Sequence, residues 1–152
     1  MKKRVITLIV LFAALPCFAR YVDVFDEASR ITGIPRETLI GIAYVESGFD
    51  TTAIGDGGRS HGMFQINEDY HLERTWIMGR EYDPHDVYDA AVLTGMLYRR
   101  NLRATKSKTM AVAAHKQGLH GVRKHGVCQW YVSEVAFWGR VYSSKKIMVW
   151  VE

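Results

Sequence analysis

Cysteine is almost missing from this 152-residue chain, with Cys17 and Cys128 the only two. Cys17 lies inside an apolar N-terminal stretch, so the folded part holds one thiol and no internal disulfide can form. Such a domain has to stand on core packing, and Cys128 reads as a small buried hydrophobe. Internal repeats and low-complexity segments are absent too. At 48% hydrophobic and 24% charged residues, the chain is neither collagen-like nor disordered. No apolar run reaches the ~20 residues of a membrane-spanning helix, which excludes a multi-pass membrane protein. Gly55-Asp56-Gly57-Gly58 is not followed by Lys-Ser/Thr, so it is no phosphate loop.

What the N-terminus does have is a cationic start at Lys2, Lys3 and Arg4 and an apolar run from Val5 to Phe18. Ala19 closes it, with Cys17 at the −3 position, and Pro16 is a poor fit to a lipobox. This is the pattern of a secretory signal peptide over residues 1–19. It predicts an exported protein, periplasmic or extracellular, with no stable membrane anchor after cleavage and one domain over residues 20–152. Past residue 19, 17 Lys and Arg stand against 16 Asp and Glu. Residues 20–98 carry 6 basic and 14 acidic groups, residues 99–152 carry 11 and 2. The positive half suits an anionic polymer or surface, though it equally suits helix C-termini. It holds no nucleic-acid reading motif.

Hydrophobic periodicity predicts a mainly α fold with a small irregular or β insertion. Helices are expected over residues 22–32, stopped by Gly33, and 35–46, opened by Pro35. Residues 47–62 lose the period and gather Gly48, Gly55, Gly57, Gly58 and Gly62, a long loop of the kind that carries function. Residues 63–67 suit a short strand or turn. Asp83-Pro84 opens a further helix with Asp86 available to cap it, burying Val87, Ala90, Ala91, Thr94, Leu97 and Tyr98. Residues 109–117 and 127–142 complete the set, and the apolar tail 147–151 is expected to dock. Of the four tryptophans, Trp130, Trp138 and Trp150 are expected in the core and Trp76 at the surface.

Glu46 breaks the pattern. Leu39, Ile42, Ala43 and Glu46 fall at i, i+3, i+4 and i+7, one face of a helix. Partial burial there would raise the carboxyl pKa above ~4.3, toward the range of a general acid. Asp56, among glycines, is the best candidate for a second carboxylate, although turn chemistry alone explains an Asp-Gly-Gly run. His115, His120 and His125 recur every five residues, which is no metal-ligand spacing. Neither metal nor cofactor is expected.

The run Glu46-Ser47-Gly48-Phe49-Asp50-Thr51-Thr52-Ala53-Ile54-Gly55 and then Gly62-Met63-Phe64-Gln65-Ile66-Asn67 resembles the catalytic core of the lytic transglycosylase family. Ala111-Val112-Ala113-Ala114-His115-Lys116-Gln117-Gly118 is similar to its A-x-A-A-Y-N-A-G block. Tyr131-Val132 with Val135 is similar to its closing Y-V-x-x-V. The pattern shades into c-type lysozyme, whose second catalytic carboxylate lies two residues before the glycine of G-x-x-Q-I-N, here Ser60. A retaining glycosidase needs two carboxylates; a lytic transglycosylase uses the substrate's own 6-hydroxyl and manages with one. The resemblance implies a lysozyme-like α+β fold whose insertion lines a glycan groove, and cleavage of the β-1,4 bond between N-acetylmuramic acid and N-acetylglucosamine. A muramidase, or a glycan-binding component with an impaired site, is the alternative. It implies Glu46 as acid and then base, with Ser47, Ser60, Met63, Gln65 and Ile66 lining the groove and Tyr131 orienting the substrate or Glu46. The family Tyr that bonds the catalytic Glu is replaced by His115, which can donate such a bond but as a cation would lower the acid's pKa. The implied partners are peptidoglycan glycan strands and an envelope-spanning assembly of the secretion, pilus, conjugation or phage kind.

Overall fold

The computed structural model describes residues 20–151; the expected signal peptide lies outside them. The chain begins with β1 (Arg20–Asp23), α1 (Val24–Thr32) and α2 (Arg36–Ser47). An insertion follows, made of β2 (Ile54–Gly55), β3 (Ser60–His61) and β4 (Ile66–Asn67), then α3 (His71–Met78). The long α4 (Val87–Thr105), α5 (Lys108–His125), α6 (Gln129–Val141) and β5 (Met148–Val151) complete it. The result is mainly helical with small antiparallel sheets, a lysozyme-like α+β fold. Among the described residues no helix is long and apolar enough to cross a membrane.

Local chemistry explains the helix ends. The Asp23 side chain caps α1 by accepting from the Phe25 amide at 3.2 Å, and Gly33 closes the helix in the left-handed region at φ 77°, where a Cβ would strain the backbone. Gly48 ends α2 in the same way at φ 66°. Arg36 then ties the start of α2 back to α1, reaching Asp23 at 2.8 Å and Asp26 at 2.6 Å.

The core collects Phe25, Leu39, Ile40, Ile42, Phe64, Leu93, Tyr131 and Val135, each such side chain contributing about 1.5–3 kcal/mol by leaving water. α2 and α6 pack more extensively than any other pair. Their backbones nearly touch: a Cβ on Gly41 would overlap the Val135 carbonyl, and one on Gly139 would overlap the Glu37 carbonyl.

Several expectations need correction. α3, in a stretch rich in charge and tryptophan, is a helix the periodicity did not reveal. The helix expected from Asp83-Pro84 starts at Val87, because Asp86 is its N-cap and accepts from the Asp89 amide at 2.8 Å. Gly118 interrupts α5 at φ 67°, ψ 162°, and helix resumes as far as His125. The apolar tail docks as β5, pairing antiparallel with β1. Trp130 and Trp150 are 61% and 56% exposed rather than in the core. Trp138 is half-buried, its Nε1 donating to Glu134 at 2.8 Å, and Trp76 is 82% exposed. Cys128 is half-buried against the core.

Candidate active site

Glu46 stands in the last turn of α2, behind the fully buried Leu39 and Ala43 and next to the loop that Gly48 opens. Its side chain is 16% exposed. From α6, the Tyr131 hydroxyl donates to Glu46 Oε1 at 2.6 Å. Burial first, and then the charge and hydrogen bond of Glu46, push the Tyr131 phenol far above its ordinary value, so it stays a donor. With Oε1 accepting that bond, Oε2 is the oxygen on which Glu46 can carry a proton. Lys116 lies over the Tyr131 ring, 5.6 Å from its centre.

His115, on α5, does not bond Glu46. Its Nε2 is 3.9 Å from Glu46 Oε1, beyond hydrogen-bond range, and 3.1 Å from the Phe64 carbonyl oxygen. A carbonyl only accepts, so Nε2 carries the hydrogen. The expected Tyr131 contact is thus made, whereas the bond that His115 was able to give Glu46 goes to the insertion.

Polar bonds knit the insertion to α2. Ser47 Oγ donates to the Met63 carbonyl at 2.9 Å and accepts from the Asp50 amide at 3.0 Å. Gln65 has φ 48°, an unusual conformation for a residue with a Cβ. Its amide nitrogen fixes that turn by donating to the Gly62 and Ala53 carbonyls at 3.0 and 3.3 Å. Met63 and Ile66 are core side chains. Ser60, also buried, donates to Asp56 Oδ2 at 2.7 Å, which brings the best candidate second carboxylate onto the serine.

Sequence reasoning missed Arg74 of α3. Its largely buried guanidinium bonds the Asn67 carbonyl, is held below its ordinary pKa by that burial, and adds positive potential at His115. Recognising α3 as a helix was the signal that would have placed it. A cleft of about 540 Å³ was missed too, lined by His61, Ile66, Glu68, His71, Tyr82 and His85 among others. Strand pairing sets His61 opposite Ile66 and Ser60 opposite Asn67, so the cleft and Ser60 occupy opposite faces of the sheet. Among the described residues no three His, Cys, Asp or Glu side chains are grouped to hold a metal ion.

The profile of the Transglycosylase SLT domain matches residues 23–127, most of the chain. The chain belongs to the SLT transglycosylase family. Two curated relatives agree over shorter stretches. Protein IpgF of Shigella sonnei is 38% identical over 71 residues, covering 43% of this chain and 46% of its own. Alpha-lactalbumin of Tachyglossus aculeatus aculeatus, a protein of the c-type lysozyme family, is 45% identical over 51 residues, 32% of this chain and 36% of its own. The chain therefore spans less than half the length of these relatives. SLT domains are typically lytic transglycosylases, and the Glu46–Tyr131 pair joins the first and last blocks of the SLT resemblance across 85 residues.

Proposed function

We propose that this protein is a peptidoglycan lytic transglycosylase, with Glu46 as its single general acid and base. Glu46 gives its proton to the glycosidic oxygen and the bond to the anomeric carbon of N-acetylmuramic acid breaks. The ionised Glu46 then takes the proton of the sugar's own 6-hydroxyl as that oxygen closes on the same carbon. A 1,6-anhydro end results, water is not consumed, and Glu46 recovers its proton. The observation that carries this reading is the half-buried Glu46, anchored through one oxygen by a tyrosine that burial and the Glu46 charge hold in its protonated form, with Ser60 at the position where a retaining lysozyme has its second acid. Ser47 and Gln65 hold the insertion beside Glu46 by their hydrogen bonds, Met63 and Ile66 support it from the core, Ser60 stands on the sheet face opposite Ile66, and Tyr131 orients Glu46. A glycan strand, being a polymer, lies across an open groove rather than inside a closed pocket. Such a substrate places the protein in the periplasm or outside the cell, as the N-terminal segment suggests. Its partners are glycan strands and an assembly that must cross the wall.

The test is the mass of the released fragments, since an anhydro end is one water lighter than a reducing end. We expect anhydro ends; reducing ends would make the protein a muramidase. One observation favours that second reading, the Asp56 carboxylate held on Ser60. Asp56→Asn is therefore expected to leave turnover within about threefold of the parent, and a loss like that of Glu46 would move the assignment to hydrolysis.

Tyr131→Phe removes the hydroxyl that fixes Oε1. Misplacing a catalytic group by about 1 Å can cost ~10²-fold, and kcat on purified glycan strands is expected to fall roughly 10–100-fold. Thermal unfolding should register a loss of only about 1–2 kcal/mol, which separates orientation from collapse.

A further inference from the structure

Lys116 is pinned on both sides, yet its own side chain is exposed. On one side the His115 ring donates to the Phe64 carbonyl at 3.1 Å. On the other, the Gln117 side chain accepts from the Cys128 amide at 2.8 Å and donates to the Gly126 carbonyl at 3.1 Å, and Gly118 then breaks the helix. The backbone of Lys116 is therefore held between the insertion and the start of α6. Its ammonium stands 5.6 Å from the centre of the Tyr131 ring, whose hydroxyl bonds Glu46 Oε1 at 2.6 Å. One tyrosine separates a positioned cation from the candidate acid. Among the described residues no carboxylate pairs with that cation.

We propose that Lys116 is a specificity residue that binds a carboxylate carried by the muramoyl substituent of the glycan strand. That role rests on the peptidoglycan reading and specifies which part of the substrate is recognised. In such a strand the N-acetylglucosamine rings are neutral. Negative charge sits on the muramic acid rings alone, whose lactyl group ends either in a free carboxylate or in a peptide with carboxylates of its own. An exposed ammonium beside the acid that cuts next to muramic acid meets that charge. Lysine suits the task, because its stem can lie along an aromatic ring while the charged head stays available to an anion.

The surroundings reinforce the charge without replacing it. Residues 99–152 carry 11 basic and 2 acidic groups, among them the exposed Arg123 and Lys124 at the end of α5. That field draws a polyanion to this side of the molecule, but it is screened over about 8 Å at physiological salt and selects no particular ring. Lys116 differs in standing at the tyrosine that holds Glu46. The carboxylate it captures fixes which sugar lies over the acid. A strand of alternating rings needs such a mark, because a slip by one ring presents the wrong bond.

The test compares soluble oligosaccharides of alternating N-acetylglucosamine and N-acetylmuramic acid in three forms: lactyl carboxylates free, the same groups converted to neutral amides, and peptides attached. For the parent, KM is expected to be roughly three- to tenfold lower on a charged form than on the neutral one. Whichever charged form is favoured identifies the source of the carboxylate. In Lys116→Gln the difference is expected to vanish; in Lys124→Gln, which removes one charge of the general field, it is expected to remain. Both positions are exposed, so folding is not at stake. A parent that treats all three forms alike, a preference that survives in Lys116→Gln, or one lost equally in Lys124→Gln overturns the proposal. Binding is also measured without turnover, in Glu46→Gln with and without Lys116→Gln. If the parent releases no anhydro ends while Glu46→Gln still prefers carboxylates through Lys116, the functional reading fails and the carboxylate site stands. Anhydro ends without any charge preference leave the function intact and overturn the site.

Discussion

Glu46→Gln is expected to keep the fold and lose turnover by roughly 10²–10⁴-fold or more, the range that general acid catalysis supplies. The amide is nearly isosteric, and its oxygen can still accept from the Tyr131 hydroxyl now 2.6 Å away. What disappears is the proton and the base that the carboxylate becomes. Purified variant and parent would be compared in clearance of a cell-wall suspension and in thermal unfolding. Parental clearance by the variant would remove Glu46 from the chemistry. Unchanged unfolding with lost clearance separates chemistry from structure, which matters because a half-buried acid also has a packing role.

Gly41→Ala has the largest structural effect expected. One methyl group would have to occupy the space of the Val135 carbonyl, in the closest approach of α2 to α6. Backbone cannot rotate aside as a flexible side chain can, so the helices must part. Overpacking of a filled interior typically costs about 1–3 kcal/mol, sometimes more, and backbone as the obstacle puts this site at the upper end. Activity should fall further than stability, because α2 carries Glu46 and α6 carries Tyr131. Chemical denaturation gives the stability change. Turnover measured below the unfolding transition shows whether the folded remainder is also impaired, and full parental turnover there would mean that the helices adapt without disturbing the pair.

Glu46 was legible in the sequence because it violated a rule, a carboxyl group on an otherwise apolar helical face. Of the blocks around it, the last supplies Tyr131, whose hydroxyl meets Glu46, and α2 ends one residue past the expected helix. α3 was not legible. Leu72 and Trp76 face solvent, and none of its residues is fully buried, so the period that marks a buried stripe is missing. The start of α4 was misplaced because two Asp residues compete to cap it and Pro84 drew attention to the first; the Asp86 bond to Asp89 decides the matter. The partner of His115 could not be read from sequence at all, since a backbone carbonyl 51 residues away carries no residue-type signal. The tryptophans misled for a related reason, as aromatic character predicts packing and not whether the packing is to protein.

The pairing of β1 with β5 has a kinetic consequence. Tyr21 and Trp150 face each other in that ladder, their rings 4.8 Å apart, yet almost the whole described chain separates them. Closing so large a loop is entropically slow relative to contacts between neighbours. During synthesis the first strand waits, unpartnered, until residues 148–151 have left the ribosome. The helical body can assemble before this clasp closes, and under stress the clasp is the natural place for opening to begin.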